Sequence, residues 1–409
     1  MALASPAPFA RDRFTWLAYL MLGFYAYLEA ALGPLMPFLR SELRLSYTVG
    51  SLHFSAFALG TILGGLTSDR VLRWWGRGVG FWGGATGMAA GAILLVLGRL
   101  AALTIAGAFI MGGLGGLLLV TIQATLADRH GERRATALTE SNIVASAGAT
   151  LVPLCIGGFQ NVGLGWRAAL YLMVPVLLIL ALSFRRVSFP VASKPLVTSS
   201  GSRHTLPLAF WAYWAVVVLS VSIEWCIIFW GANFLISVVG LEKVIASTIM
   251  SIFFLAELLG RMAASWLTRR ASSARLLVGA LALTMIGFPL FWLAPLAPLN
   301  IVGLFLAGLG IANLFPLTLS VAVGIDPEQS NTASARISLG IGIALLVAPL
   351  ALGWAADQVG IQHAYSLVAV LLVIALLVTI GANRQRGSTV PAALQNNEEH
   401  VRQSADVGS

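Results

Sequence analysis

Charge is what this chain lacks. Only 10% of its 409 residues are Asp, Glu, Lys or Arg, while 58% are apolar; a soluble domain carries about 25% charged and 45–50% apolar residues. That balance excludes a water-soluble globule and a disordered chain, and it makes lipid the solvent. Cysteine is nearly absent. Cys155 and Cys226 both lie in apolar runs, so there is no disulfide framework and no thiolate metal spacing. The five histidines fall singly at 53, 130, 204, 363 and 400. Neither a metal site nor a catalytic centre of a membrane-embedded enzyme is expected from them, and no cofactor is implied. The phosphate-cradling pattern G-x-x-x-x-G-K-[ST] does not occur, which excludes nucleotide-driven work by this chain alone. Short segments alternating apolar with polar are missing too, which excludes an outer-membrane barrel.

What the chain has is long apolar runs. A spanning helix needs about 20 mostly apolar residues. Twelve such runs can be read, at 14–39, 47–68, 79–98, 101–126, 135–159 and 166–184, then 206–236, 243–267, 275–295, 299–323, 333–356 and 362–381. The first is too long for a signal-peptide core and is read as retained. Residues 1–13 precede it, a polar Pro- and Ser-containing linker at 185–205 divides the runs six and six, and a polar tail at 382–409 is expected to be disordered. With the N-terminus inside, 18 of the 25 Lys and Arg fall in inner segments, 5 in outer loops, and Arg261 and Arg336 within helices. That bias places both termini in the cytoplasm and the chain in the cell (inner) membrane. The net charge of +9 is then topological, and no nucleic-acid partner is called for.

The two halves repeat. LTIAGAFIMGGLGG at 103–116 matches LNIVGLFLAGLGIA at 299–312, and the same offset pairs Pro153 with Pro349 and Gly157 with Gly353. Neighbouring offsets pair Glu29 with Glu224 and Gly60 with Gly260. Matches in four helix pairs at nearly one offset indicate duplicated six-helix units. The expected fold is an all-α membrane protein of twelve transmembrane helices, in two six-helix bundles related by pseudo-twofold symmetry.

After the second run the chain reads Gly65-Leu-Thr-Ser-Asp69-Arg70, then Val-Leu-Arg73-Trp-Trp-Gly76-Arg77. This resembles the G-x-x-x-D-R…G-R signature of the major facilitator superfamily. Gly-Trp166-Arg167 and the Gly310…Phe315-Pro316 stretch are similar to that family as well. The second half keeps Gly260-Arg261 but has Arg269 where the acid would stand. The resemblance covers roughly 14–381. It implies a cavity lined by helices 1, 4, 7 and 10, alternating access, and transport of a small-molecule substrate by a protein expected to be a monomer in the bilayer. In proteins built of such repeats the substrate site lies near mid-membrane between the halves. A tail this short is not expected to fold as a soluble sensor domain.

Ionisable groups inside the membrane cost about 2.5–3.5 kcal/mol each on insertion scales, so each needs a reason. Glu29 and Glu224 sit at matching depth in the first and seventh runs. Carboxyls in apolar surroundings exchange protons nearer neutral pH, so the pair is the expected proton-coupling or substrate-binding site. Helix 8 carries Glu257 and Arg261 at i and i+4, a local ion pair on one face. A second expectation is a Glu140–Arg261 bridge that closes the inner side when the outer side opens. Asp69 is expected to meet the start of helix 11 and Arg336, with Gly65, Arg70 and Arg77 completing the gate. Gln123, Asn142, Asn313 and His53 are polar candidates for the cavity or for helix–helix hydrogen bonds. Tyr25, Tyr27, Trp225, Trp230 and Phe315 are aromatic candidates for stacking on a solute or for packing. Pro34, Pro37, Pro153, Pro289 and Pro349 are expected to kink helices. Acids without a cation at the membrane centre suit a neutral or cationic solute better than an anion. Val152-Pro153-Leu-Cys-Ile-Gly157-Gly158 departs from the family's antiporter stretch by one extra residue and a missing first Gly, which favours cotransport over proton-driven export of drugs or metabolites.

Overall fold

The computed structural model describes residues 10–189, 206–268, 270–325 and 329–383. Residues 1–9, most of the expected linker (190–205) and the tail from 384 lie outside them. Among the described residues every regular element is a helix.

The helices, in chain order, are α1 Arg13–Leu43, α2 at 47–75, α3 at 77–97, α4 Ala101–His130 and α5 Arg134–Asn161. They continue with α6 Ala168–Ser183, α7 Leu208–Ser237, α8 Lys243–Leu267, α9 Ser273–Leu293, α10 Ala297–Val323, α11 Ser330–Val359 and α12 Ile361–Asn383. Residues 47–97 form 51 residues of nearly unbroken helix, about 76 Å at 1.5 Å per residue. That is more than twice the hydrocarbon thickness, so the segment crosses twice. It breaks at Gly76, where φ is 80° and ψ 167°, a conformation open to glycine alone at little cost. The signature segment expected as a loop is therefore helical up to residue 75, and Arg73 Nε donates to the Asp69 carbonyl one turn back (3.2 Å).

Local chemistry starts these helices where the sequence permits. The Asp12 side chain accepts from Thr15 N (2.8 Å) and caps α1, and Ser46 does the same for α2 through Val49 N (3.2 Å). Prolines 34, 37, 153, 289, 316 and 349 all lie inside helices. In membrane helices neighbouring groups can take up the backbone bonds they interrupt.

The halves are α1–α6 and α7–α12. They meet through α5 on α8, α2 on α11 and α1 on α7, the pairs related by the repeat. At Gly33 a Cβ would lie 2.1 Å from the Ile228 carbonyl oxygen, so α1 and α7 touch backbone to backbone at that level. Small residues permit such approaches where lipid supplies no hydrophobic drive between helices.

Candidate functional site

Between the halves lies a cavity of about 400 Å³. Residues of α1, α2, α4, α5, α7, α8, α10 and α11 line it. Its polar wall holds Glu29, Gln123, Asn142, Ser146, Glu224, Glu257 and Arg261, and its aromatic wall Tyr25, Trp225, Phe254 and Phe315.

Glu29 and Glu224 both face this one space, from opposite halves. The Tyr25 hydroxyl donates to Glu29 Oε1 at 3.2 Å, one helical turn away. Glu224 has different company. Arg261 Nη2 lies 3.8 Å from Glu224 Oε1 and 3.6 Å from Glu257 Oε2, while Arg261 Nη1 donates to Ser146 Oγ at 2.8 Å. Ser146 is on α5, so the guanidinium reaches across from the second half to the first. The Glu257 carboxyl is 5% exposed and Glu224 14%, but Arg261 is 40% exposed. The absence of a cation at the membrane centre, expected above, is corrected here. Arg261 lies in the last turns of α8, yet its long side chain brings the charge into the cavity.

Four other candidates point elsewhere. Tyr27 donates to the Ala169 carbonyl (2.9 Å) and joins α1 to α6. Trp230 donates through Nε1 to the Pro349 carbonyl (3.0 Å) and packs on Tyr47. Asn313 donates to the Gly260 carbonyl (3.0 Å), a helix–helix bond between α10 and α8. His53 is fully buried, with Nε2 2.7 Å from Thr104 Oγ1 and Nδ1 3.1 Å from the Val49 carbonyl. Each is a buried polar group satisfied inside the protein, and none lines the cavity.

Neither expected gate bridge is made among the described residues: not Glu140–Arg261, expected when the outer side opens, nor Asp69–Arg336, expected without that condition. Glu140 is held by Arg11, at 2.8 Å to Nε and 2.6 Å to Nη2, with the Tyr19 hydroxyl at 3.1 Å. Asp69, Arg70 and Arg336 are exposed, and the ion pairs of the described residues include no Asp69–Arg336 bridge. Gly65 is half-buried. Arg77, directly after the Gly76 break, pairs with Asp128 at the end of α4. Arg129 pairs with Asp12, and His130 Nε2 sits 2.9 Å from Thr15 Oγ1. Burial pushes the Asp12 carboxyl upward, but the Thr15 N–H and hydroxyl and the Arg129 guanidinium outweigh it, and the group is held below its ordinary value.

At the end away from the termini, here called distal, the halves are sealed. Asp357 on α11 accepts from Tyr47 N (2.8 Å), Thr48 N (2.7 Å) and Thr48 Oγ1 (2.6 Å) at the start of α2. Arg40 Nη1 donates to Asn233 Oδ1 (2.9 Å) and its guanidinium lies 3.5 Å over the Tyr47 ring. Ser51 and Ser55 donate to the carbonyls of Pro349 and Leu346, and Ser247 to that of Pro34. Within the first half, Trp166 Nε1 donates to Glu42 Oε1 at 2.8 Å, and Arg167 grips both Glu42 oxygens at 3.0 and 2.5 Å.

Sequence reasoning missed Ser146 and the distal Asp357. A serine in an apolar helix carries no signal of its own. Asp357 follows an apolar run near a glycine, as many helix-end acids do, and its partners are some 310 positions away.

Comparison with known proteins agrees with this architecture. The model of the Major Facilitator Superfamily matches residues 15–324 and 214–403. An uncharacterized MFS-type transporter of Yersinia pestis is 25% identical over 353 residues, covering 84% of this chain and 89% of the relative. Among solved structures, a bacterial homolog of the human lysosomal transporter Spinster, inward-facing and unoccupied, superposes with a TM-score of 0.71 at 14% identity, over 93% of this chain and 98% of the other. The nucleoside transporter NupG superposes with a TM-score of 0.69 at 14% identity, over 91% and 97%. With apolar helices in two repeated halves around a polar cavity, the chain belongs to the Major Facilitator Superfamily of membrane transporters.

Proposed function

We propose that this protein moves a small organic solute together with protons by alternating access, with Glu29 and Glu224 as the groups that exchange the proton. One observation carries the reading: carboxyls from both halves, at repeat-related positions, face a single space that is sealed at the distal end. A solute there contacts both halves, so its binding can be coupled to their relative motion. An ionised carboxylate left alone in that space is costly, which makes proton occupancy depend on what else is bound.

In this reading the protein sits in the inner membrane with both termini in the cytoplasm, an orientation the Lys and Arg distribution supports, and the working unit is the monomer. The described conformation is then closed to the outside. When the distal seal opens, the other ends of the halves approach. Asp69 and the start of α11, including Arg336, are the groups brought together there.

The test is transport in proteoliposomes with an imposed pH gradient. A screen of sugars, carboxylates, nucleosides and common drugs identifies the solute. Cotransport predicts accumulation in the direction of proton flow; dissipation of an opposing gradient by added solute would signify antiport. Accumulation that ignores the pH gradient in both directions would remove the proton from the cycle.

A further inference from the structure

Arg261 is an underused donor. A guanidinium carries five N–H donors in a rigid planar fork. Among the described residues its one hydrogen bond is to Ser146 Oγ at 2.8 Å. The two carboxylates beside it stand at 3.6 and 3.8 Å, too far for hydrogen bonds, whose ordinary range ends near 3.2 Å. The acids attract the guanidinium without occupying its fork. They are also the more enclosed groups, whereas Arg261 is 40% exposed. A solute entering the cavity therefore meets the cation first.

We propose that Arg261 is the docking group for a substrate carboxylate, and that the solute is a small monocarboxylate with an aromatic body. This rests on the transport reading above and names its substrate class. The fork geometry suits a carboxylate held through two parallel bonds, and such charge-assisted pairs are about twice as strong as neutral ones. The body is specified by the aromatic lining of the same cavity. Trp225 is held flat by stacking on Phe54, ring centroids 4.9 Å apart, and Tyr25, Phe254 and Phe315 complete a surface for a ring.

Charge balance supports the choice. The ionisable carboxyls facing the cavity are Glu29 from α1, Glu224 from α7 and Glu257 from α8; α2, α4, α5, α10 and α11 contribute none. When a carboxylate takes the guanidinium, Glu224 and Glu257 lose their counterion. Two buried acids beside an anion cannot all stay ionised, so arrival of the anion favours proton uptake. The anion then enters with its neutralising proton. A cationic solute would need no such partner and would have to displace or oppose Arg261.

The experiment uses the full-length protein in detergent micelles and titration calorimetry with three probes of one shape: benzoate, benzamide and benzylamine. Benzoate should bind, with proton uptake visible as a buffer-dependent heat. Benzamide should bind at least about tenfold more weakly, and benzylamine not measurably, because only the anion uses the charged fork. Arg261→Lys keeps the charge but not the fork and should weaken benzoate at least about tenfold; Arg261→Gln should abolish it. Thermal unfolding midpoints report whether the variants fold, and Arg261→Lys decides the matter if Arg261→Gln does not. Equal binding of benzamide or benzylamine, unchanged benzoate affinity in Arg261→Lys, or no benzoate binding to the folded protein would each overturn the proposal. If benzylamine or benzamide moves with protons in proteoliposomes while benzoate does not, the substrate class falls and the transport reading stands.

Discussion

Replacing Asp357 by alanine should open the distal end without unfolding α2. The carboxylate accepts three bonds from Tyr47 N, Thr48 N and Thr48 Oγ1, at 2.6–2.8 Å. It is thus a helix cap supplied by the other half. A typical hydrogen bond contributes a net of about 0.5–1.5 kcal/mol. A capping side chain replaced by alanine costs typically about 1 kcal/mol. Asp357 is exposed, so water competes for the freed donors, and a total of about 1–2 kcal/mol is the reasonable loss. That corresponds to a change of about 5- to 30-fold in the ratio of distal-closed to distal-open molecules. Ser46 Oγ still caps α2 through Val49 N, so helix content should stay constant while the equilibrium shifts. The assay is a pair of spin labels on the distal ends of α2 and α11, with a second pair on the opposite ends. The distal distance distribution should broaden and lengthen as the other shortens. Asp357→Asn, which keeps an acceptor but not the charge, should give a smaller shift. An unchanged distal distribution in Asp357→Ala would refute the reasoning, as would loss of helix signal.

Further outcomes follow from other contacts. Glu29→Gln should abolish solute accumulation driven by a pH gradient while leaving solute exchange intact, as measured in proteoliposomes; normal accumulation would remove Glu29 from coupling. Gly33→Ala should cost about 1–3 kcal/mol by overpacking α1 against the Ile228 carbonyl, visible as a lowered thermal midpoint or a distal distance shifted outward. Asp12→Ala should destabilise the protein by about 1 kcal/mol through loss of the α1 cap. Because Asp12 is held below its ordinary value, its stabilisation is present at neutral pH and lost as the pH falls through that depressed value. The gap between wild type and Asp12→Ala in thermal unfolding should therefore close on acidification; a gap independent of pH would contradict the charge-assisted part of the cap.

The spans were legible because hydrocarbon thickness sets a length that composition must match. The repeat was legible because duplicated halves keep residues at nearly one offset, which matches Glu29 with Glu224. Which way a side chain faces was harder, though part of it was in the spacing. Tyr25 is one turn before Glu29 and shares its face, whereas Tyr27, two positions before Glu29, points to the other side. The same offset of two separates Asn313 from Phe315, and only Phe315 reaches the cavity. Arg261 was visible as an unusual charge, but the reach of its side chain depends on how α5 and α8 pack. The distal seal was illegible for a plainer reason: its bonds join residues about 190–310 positions apart, and three of its acceptors, at Pro34, Leu346 and Pro349, are backbone carbonyls that no sequence distinguishes.

Those carbonyl acceptors bear on how fast the protein can work. Ser51 Oγ, which donates to the Pro349 carbonyl in the other half, lies equally 3.0 Å from the Tyr47 carbonyl of its own helix. Parting the halves at this point strands no hydroxyl in a dry seam, because the proton swings to an acceptor already in place. The seam can be unmade with little activation energy there, and the slow step of the cycle is free to lie at the charged groups instead.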